Sequence, residues 1–353
     1  MSRYQRHIQL AEIGEKGQER LGNAKVLVVG AGGLGCPALQ YLAAAGVGQI
    51  GIVDGDQVSL HNLQRQVLFT ESDLGKNKVE AAVKKLSQLN SEIQLESYPF
   101  HLNLDNAAEI FSDYDLIVDC TDNFVTRYLI NDVSLRMGKA MIHGSLYKFE
   151  GQVGVFNYQN GPSYRCLFPD PPKPGDVPNC NEVGVLGVLP GLIGIMQAAE
   201  AIKIILGIGE ILSGKILHYH LLSHEQRIFE VSRNENEISR IKTLPLVELV
   251  STNDCQFSGQ ISLRQLTKTE KMLWIDVRDK GEKPSIEGPE VISIPLSEFA
   301  ESLALIPSEP KKLIFCQSGI RSQRALAQLK ENQIPNCFSL IEGAEEVKKY
   351  IQT

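Results

Sequence analysis

Four glycines and one carboxylate are the first residues whose spacing implies chemistry. Gly30-Ala31-Gly32-Gly33-Leu34-Gly35 follows an apolar, β-branched run at 25–29 and precedes a helical pattern at 37–45. A backbone without Cβ atoms turns tightly there and lets a phosphate come close, while the free N–H groups of the new helix point at that anion. Asp54 closes a second apolar run, nineteen residues beyond Gly35, where a carboxylate accepts ribose hydroxyls. Gly30, Gly32, Gly33, Gly35 and Asp54 therefore predict an adenine-nucleotide site.

The segment after Asp54 decides between nucleotide chemistries. It carries Asn62, Arg65 and Lys78, and Asp119-Cys120-Thr121-Asp122-Asn123 follows later. Hydride transfer requires an apolar nicotinamide pocket and a proton donor, with no need for further cations beside the pyrophosphate. Attack at the α-phosphorus of a triphosphate does need them, because charge builds on the attacking and leaving oxygens. Arg65, Lys78 and a metal-holding Asp122 meet that demand, so the pattern favours nucleotidyl transfer. Two readings of other classes stay open: an NAD-dependent oxidoreductase with a fused regulatory domain, and a non-catalytic scaffold for a ubiquitin-like partner.

With Arg3-Tyr4-x-Arg6, Glu150-Gly151-Gln152 and the stretch 180–203, these residues resemble the MoeB/ThiF/HesA family, bacterial relatives of ubiquitin-activating enzymes, over roughly the first 230 residues. The resemblance implies adenylation of the C-terminal glycine of a small ubiquitin-like sulfur carrier. Asp54 would bind ribose, Asn62, Arg65 and Lys78 would bind phosphates, and Asp122 would hold Mg²⁺. Arg6 would reach the triphosphate from the neighbouring subunit of a homodimer. ATP and Mg²⁺ are the expected cofactors. Cys180 is read either as an acyl or sulfur acceptor, as at this position of the family, or as a loop thiol without a role. The implied pathway is molybdopterin synthesis, with thiamine-thiazole synthesis or tRNA thiolation as alternatives.

A second centre lies near the C-terminus. The run 312–316 reads as a strand ending on Cys316, and 323–329 as a helix. A cysteine between a strand end and a helix N-terminus faces backbone N–H groups that stabilise a thiolate or persulfide. Arg321 adds positive charge at the rim. Cys316-x-x-x-x-Arg321 resembles the sulfur-carrying loop of a rhodanese domain, over about the last 95 residues. Where that family has a Gly-His-Ile turn, this chain has Glu287-Gly288-Pro289-Glu290-Val291. Asp276 and Arg278 are expected to tie down a strand end.

These groups need a scaffold. Strand-like runs ending near Gly30, Asp54, Tyr98 and Asp119 alternate with helical patterns, which predicts a parallel, doubly wound sheet. A strand at 140–143, an antiparallel one at 152–156, a buried helix at about 189–206 and a hairpin through 216–231 complete it. The proline-rich segment 169–178 reads as a mobile crossover loop. The fold class is thus α/β: a Rossmann-like doubly wound mixed sheet, then a smaller α/β rhodanese-like domain. The expected boundaries are 1–235, a linker at 236–257, and 258–353.

Composition agrees. A chain of 353 residues exceeds the usual single core. A net charge of −7 argues against a general nucleic-acid-binding surface. The first residues lack the apolar core of a signal peptide, and the apolar stretch at 183–196 reads as too short and too polar at its end for a membrane span. Seven dispersed cysteines suit a reducing cytoplasm. Cys36, Cys120, Cys255 and Cys337 read as structural. Many members of the resembled family hold zinc with two C-x-x-C pairs. Here the first would be Cys166-Leu167-Phe168-Pro169 and the second is missing, so no zinc site is expected and packing alone would hold that end of the domain. His218 and His220 give a substitute site little support.

Overall fold

The computed structural model describes residues 3–172, 184–246, 260–263, 266, 271–303, 306–307, 309–317, 319–332 and 334–352. Cys180, Cys255 and most of the proline-rich loop lie outside them. The chain divides into two compact units, Met1–Asn253 and Asp254–Thr353.

In the first unit, β1 (Lys25–Val29), β2 (Gln49–Val53), β3 (Gln94–Tyr98), β4 (Leu116–Asp119), β5 (Ala140–Tyr147), β6 (Glu150–Phe156), β7 (Lys215–His220) and β8 (Glu225–Glu230) form one sheet in the order β3-β2-β1-β4-β5-β6-β7-β8. The first five positions are parallel, and β6, β7 and β8 join antiparallel. β1 and β4 are buried along nearly their whole length, as their apolar, β-branched sequences require of strands covered on both faces. Strand order reverses between β1 and β4, so the loops leaving their C-terminal ends open a crevice where such sheets bind ligands.

The helices are α1 (Gln5–Ile8), α2 (Gly14–Asn23), α3 (Gly35–Ala45), α4 (Lys78–Leu89), α5 (Ala107–Ser112), α6 (Phe124–Arg136), α7 (Tyr164–Leu167), α8 (Val188–Leu206) and α9 (Glu235–Thr243). Asn77 caps α4 by accepting from the Val79 amide at 2.9 Å, and Asn123 caps α6 by accepting from Thr126 at 2.9 Å. Helix α8, at 19 residues, is in fact long and apolar enough to cross a membrane by length and composition. Length does not account for its character; packing does. Leu189, Ile193, Ala198 and Ala201 are buried against α3, β5 and β6. Gln197, also buried, donates to the Asp119 carbonyl at 2.6 Å. This is the pattern of a core helix.

Two further expectations change. The polar stretch after Val231 is no linker at its start: Asn234 caps α9, and Ile238 and Ile241 bury one face against Leu135 of α6. The end of the unit around Cys166 is held by more than packing. Arg165 and Asp132, both fully buried, form a two-pronged ion pair with 2.8 Å bonds. The Cys166 sulfur accepts from the amides of Ser163 and Asn234, each at 3.3 Å. Arg240 donates to the Pro169 carbonyl at 2.7 Å. Polar bonds join α6, α7 and α9 where the family pattern places zinc.

In the second unit, β9 (Gln260–Ile261), β10 (Met272–Asp276), β11 (Val291–Ser293), β12 (Lys311–Phe315) and β13 (Cys337–Leu340) make a parallel sheet in the order β11-β10-β12-β13-β9. Helices α10 (Ile320–Glu331) and α11 (Ala344–Gln352) are described with it. The central strands β10 and β12 are buried between two apolar clusters.

Candidate active sites

The first centre is built at the reversal of strand order. Gly30 has φ +98°, and a Cβ there would lie 2.7 Å from the Cys120 carbonyl oxygen, so the loops after β1 and β4 meet backbone to backbone. A Cβ on Gly35 would lie 1.9 Å from the Gly30 carbonyl oxygen. At Gly32 the nearest neighbour of such an atom is the Gln66 side chain at 3.9 Å, which leaves room for a phosphate. A Cβ on Gly33 would lie 3.1 Å from Pro190 Cβ and 3.3 Å from Arg65 Cγ. The first turn of α3 supplies amides that a helix leaves without internal acceptors.

Asp54 tightens the turn: its carboxylate accepts from the Ala31 amide at 2.8 Å and the Asp56 amide at 2.9 Å. Lys78, at the start of α4, is 4% exposed, and its Nζ lies 2.7 Å from Asp56 and 3.6 Å from Asp54. A buried ammonium is costly unless paired, and the two carboxylates pair it beside the glycine turn. Arg65 donates to the Asn62 side-chain oxygen at 2.9 Å, and the Asn62 nitrogen donates to Ser59 at 2.8 Å. Asn62 therefore orients Arg65 through contacts that its own sequence position did not disclose.

Asp122 follows β4 and is exposed, with no hydrogen bond or ion pair among the described residues. Beneath it, Asp119 is fully buried. It accepts from the Thr121 amide at 3.0 Å, faces His143 Nδ1 at 3.0 Å and lies 3.5 Å from Arg127 Nε. Burial would raise the Asp119 pKa, but the His143 hydrogen bond and the Arg127 charge hold it below the usual range. Burial, then the Arg127 charge, lowers the His143 pKa. Arg127 donates to the Thr121 carbonyl at 3.2 Å, so this cluster fixes the backbone that carries Asp122. Arg6 is exposed on α1, and among the described residues no hydrogen bond or ion pair joins it to the other site residues.

Sequence reasoning overlooked Gln66. It is 3% exposed, beside Gly32, and its Oε1 has no partner among the described residues. Its position inside the motif was the available signal. Asp56, two residues after Asp54, holds Lys78 Nζ at 2.7 Å. Cys36 is a packed thiol, pushed up to about 12 by burial, and Cys120 is likewise buried and raised.

The second centre follows β12. Cys316 is buried, with Sγ 3.7 Å from the Ser322 hydroxyl, which in turn bonds Gly319 and Ser339, each at 2.9 Å. Gly319 takes φ +81° to start α10. Asp276 and Arg278 are paired through bonds of 2.9 and 2.6 Å. Arg321 is not a bare cation: it grips the Glu282 carboxylate with both nitrogens and reaches Asp279 at 3.2 Å. That pair holds Glu282 down at about 2.

A doubly wound sheet with a glycine turn, a ribose-type carboxylate and two anchored cations at its switch point defines a nucleotide-binding α/β enzyme. The chain belongs to the ThiF family, whose model matches residues 4–240. It is 39% identical to the probable adenylyltransferase/sulfurtransferase MoeZ of Mycobacterium tuberculosis, an alignment spanning 100% of this chain and 94% of that one. It is 51% identical to the sulfur carrier protein adenylyltransferase of Thermus thermophilus over 66% of this chain and 88% of that one. Among solved structures, Escherichia coli MccB determined with ATP matches with a TM-score of 0.58 at 25% identity, over 66% of this chain and 72% of that one.

Proposed function

We propose that this chain uses ATP to adenylate the C-terminal carboxylate of a small ubiquitin-like sulfur carrier ending in Gly-Gly, then transfers sulfur to it from a Cys316 persulfide. The observation that carries the reading is the pairing of the glycine turn with buried Lys78 and anchored Arg65 at one crevice. The names of relatives that span the whole chain, adenylyltransferase and sulfurtransferase together, support it.

A carboxylate is a poor electrophile, and AMP makes it a good one. The carrier carboxylate attacks the α-phosphorus, pyrophosphate leaves, and the acyl-adenylate forms. Gly32 admits the phosphates, Asp54 takes the ribose hydroxyls, and Arg65 and Lys78 offset charge on the phosphate oxygens. Asp122, an exposed carboxylate at the crevice with no partner among the described residues, suits a hard divalent ion that takes its other oxygens from water and phosphate. Mg²⁺ would supply charge neutralisation there. Arg6, exposed on a short helix, would enter the site of a second subunit in a homodimer. The terminal persulfide sulfur of Cys316 then attacks the carbonyl and AMP leaves. An external thiol attacks the Cys316 sulfur of the acyl disulfide. The carrier leaves as a thiocarboxylate and a disulfide remains. The location is cytoplasmic, and the pathway molybdopterin synthesis, with thiamine-thiazole synthesis and tRNA thiolation as the other users of this chemistry.

The test is carrier-dependent exchange of labelled pyrophosphate into ATP. Asp122→Ala is expected to abolish exchange while the circular dichroism spectrum stays that of the parent. Full exchange in the variant refutes the metal role, and NAD(H) protection without any exchange by the parent refutes adenylation.

A further inference from the structure

The rim of the second centre is more acidic than a site for small anions should be. Arg321, one residue before the Ser322 that touches Cys316, has both terminal nitrogens on Glu282 and a third contact to Asp279. Arg278 donates through Nε and one terminal nitrogen to Asp276 and the Pro284 carbonyl, while its other terminal nitrogen is buried with no partner among the described residues. Lys280 is held by Glu298 at 2.8 Å. Two carboxylates, Glu282 and Asp279, thus meet the Arg321 guanidinium.

We infer that Glu282 sets the donor specificity of this centre: by occupying Arg321 it selects a persulfide sulfur over the thiosulfate dianion. The inference rests on the sulfurtransferase reading of the second unit. In either exchange the Cys316 thiolate attacks the outer sulfur, the donor S–S bond breaks, and its electron pair departs with the leaving group. With a persulfide R–S–S⁻ that group is the thiolate R–S⁻, and Cys316–S–S⁻ remains. With thiosulfate it is sulfite, and the donor must bring a sulfonate end carrying charge into the rim. A centre built for it would hold Arg321 open to that end. Here a bidentate carboxylate already fills the guanidinium fork, the geometry that an oxyanion would otherwise use.

The experiment uses the full chain and cyanide as sulfur acceptor, with thiosulfate and a small alkyl persulfide as separate donors. Glu282→Gln is expected to lower the KM for thiosulfate about tenfold, the size of effect expected when one like charge is removed from a partly screened site. The KM for the persulfide stays the same. Glu282→Asp, which restores the charge, keeps the parent preference. In the parent, added salt lowers the KM for thiosulfate by screening the repulsion, a test that needs no substitution. An unchanged thiosulfate KM in Glu282→Gln, a parallel fall in rate with both donors, or a thiosulfate KM that does not fall with salt overturns the inference. Equal rates for the parent and Cys316→Ala with every donor overturn the sulfurtransferase reading instead, and the inference with it.

Discussion

Gly32 and Gly35 are one motif in sequence and two different demands in space. A methyl group on Gly35 would overlap the Gly30 carbonyl, with no flexible side chain to yield, whereas one on Gly32 meets only the Gln66 side chain at 3.9 Å, an ordinary contact. Gly35→Ala is therefore expected to cost roughly 3 kcal/mol or more, read as a lowered denaturant midpoint. Gly32→Ala keeps that midpoint but raises the KM for ATP about tenfold, because the space it fills is the one kept for phosphate. A stable Gly35→Ala, or a Gly32→Ala with the parent KM, contradicts the assignment. The spacing of glycines, Asp54 and Lys78 was legible because the motif is local. The grip of Asp56 on Lys78 was not, since it joins residues 22 apart through a fold that pattern alone does not locate. Gln66 stayed hidden for a related reason: an amide inside a motif reads as filler until its side chain is seen buried beside Gly32, with an oxygen that has no partner among the described residues.

Between elements, ion pairs hold what hydrophobic periodicity could not announce. Periodicity showed the strands and α8, but the Arg165–Asp132 pair couples α6 to α7 across 33 residues. Removing one member leaves a buried charge without its partner. Asp132→Ala should cost about 3–5 kcal/mol, measured by urea unfolding; a loss under about 1 kcal/mol, the worth of an exposed pair, would contradict the role. In the same way α9 was mistaken for linker because its sequence is polar, with Ile238 and Ile241 as the sparse apolar signal. The second unit carries a pH signature. The Arg321 hydrogen bond lowers the folded pKa of Glu282 from 4.5 to about 2, so the unfolded chain binds a proton more readily. Its stabilising effect is complete above the unfolded value and is lost as pH falls from about 4.5 towards 2. Thermal scans over that range should show the unfolding temperature of the second unit falling, with a shallower fall in Glu282→Gln.

At the scale of the whole molecule, two chemistries share one chain, and each should fail alone. Cys316→Ala is expected to retain pyrophosphate exchange yet stop thiocarboxylate formation, followed by the mass of the carrier. Thiocarboxylate made at the parent rate would place the sulfur source elsewhere. Covalent fusion keeps a sulfur donor at high effective concentration near a reactive acyl-adenylate. Both centres were legible in outline because each sits at a strand end followed by a glycine and a helix. The charge state of the second was not, because Glu282 approaches Arg321 from a loop 39 residues earlier.

The close meeting of Gly30 with the Cys120 carbonyl has a further consequence. Main chain rather than side chain sets the distance between the loops that follow β1 and β4. A Cβ at Gly30 would press on the Cys120 carbonyl, so any larger residue there would prise the two strand ends apart.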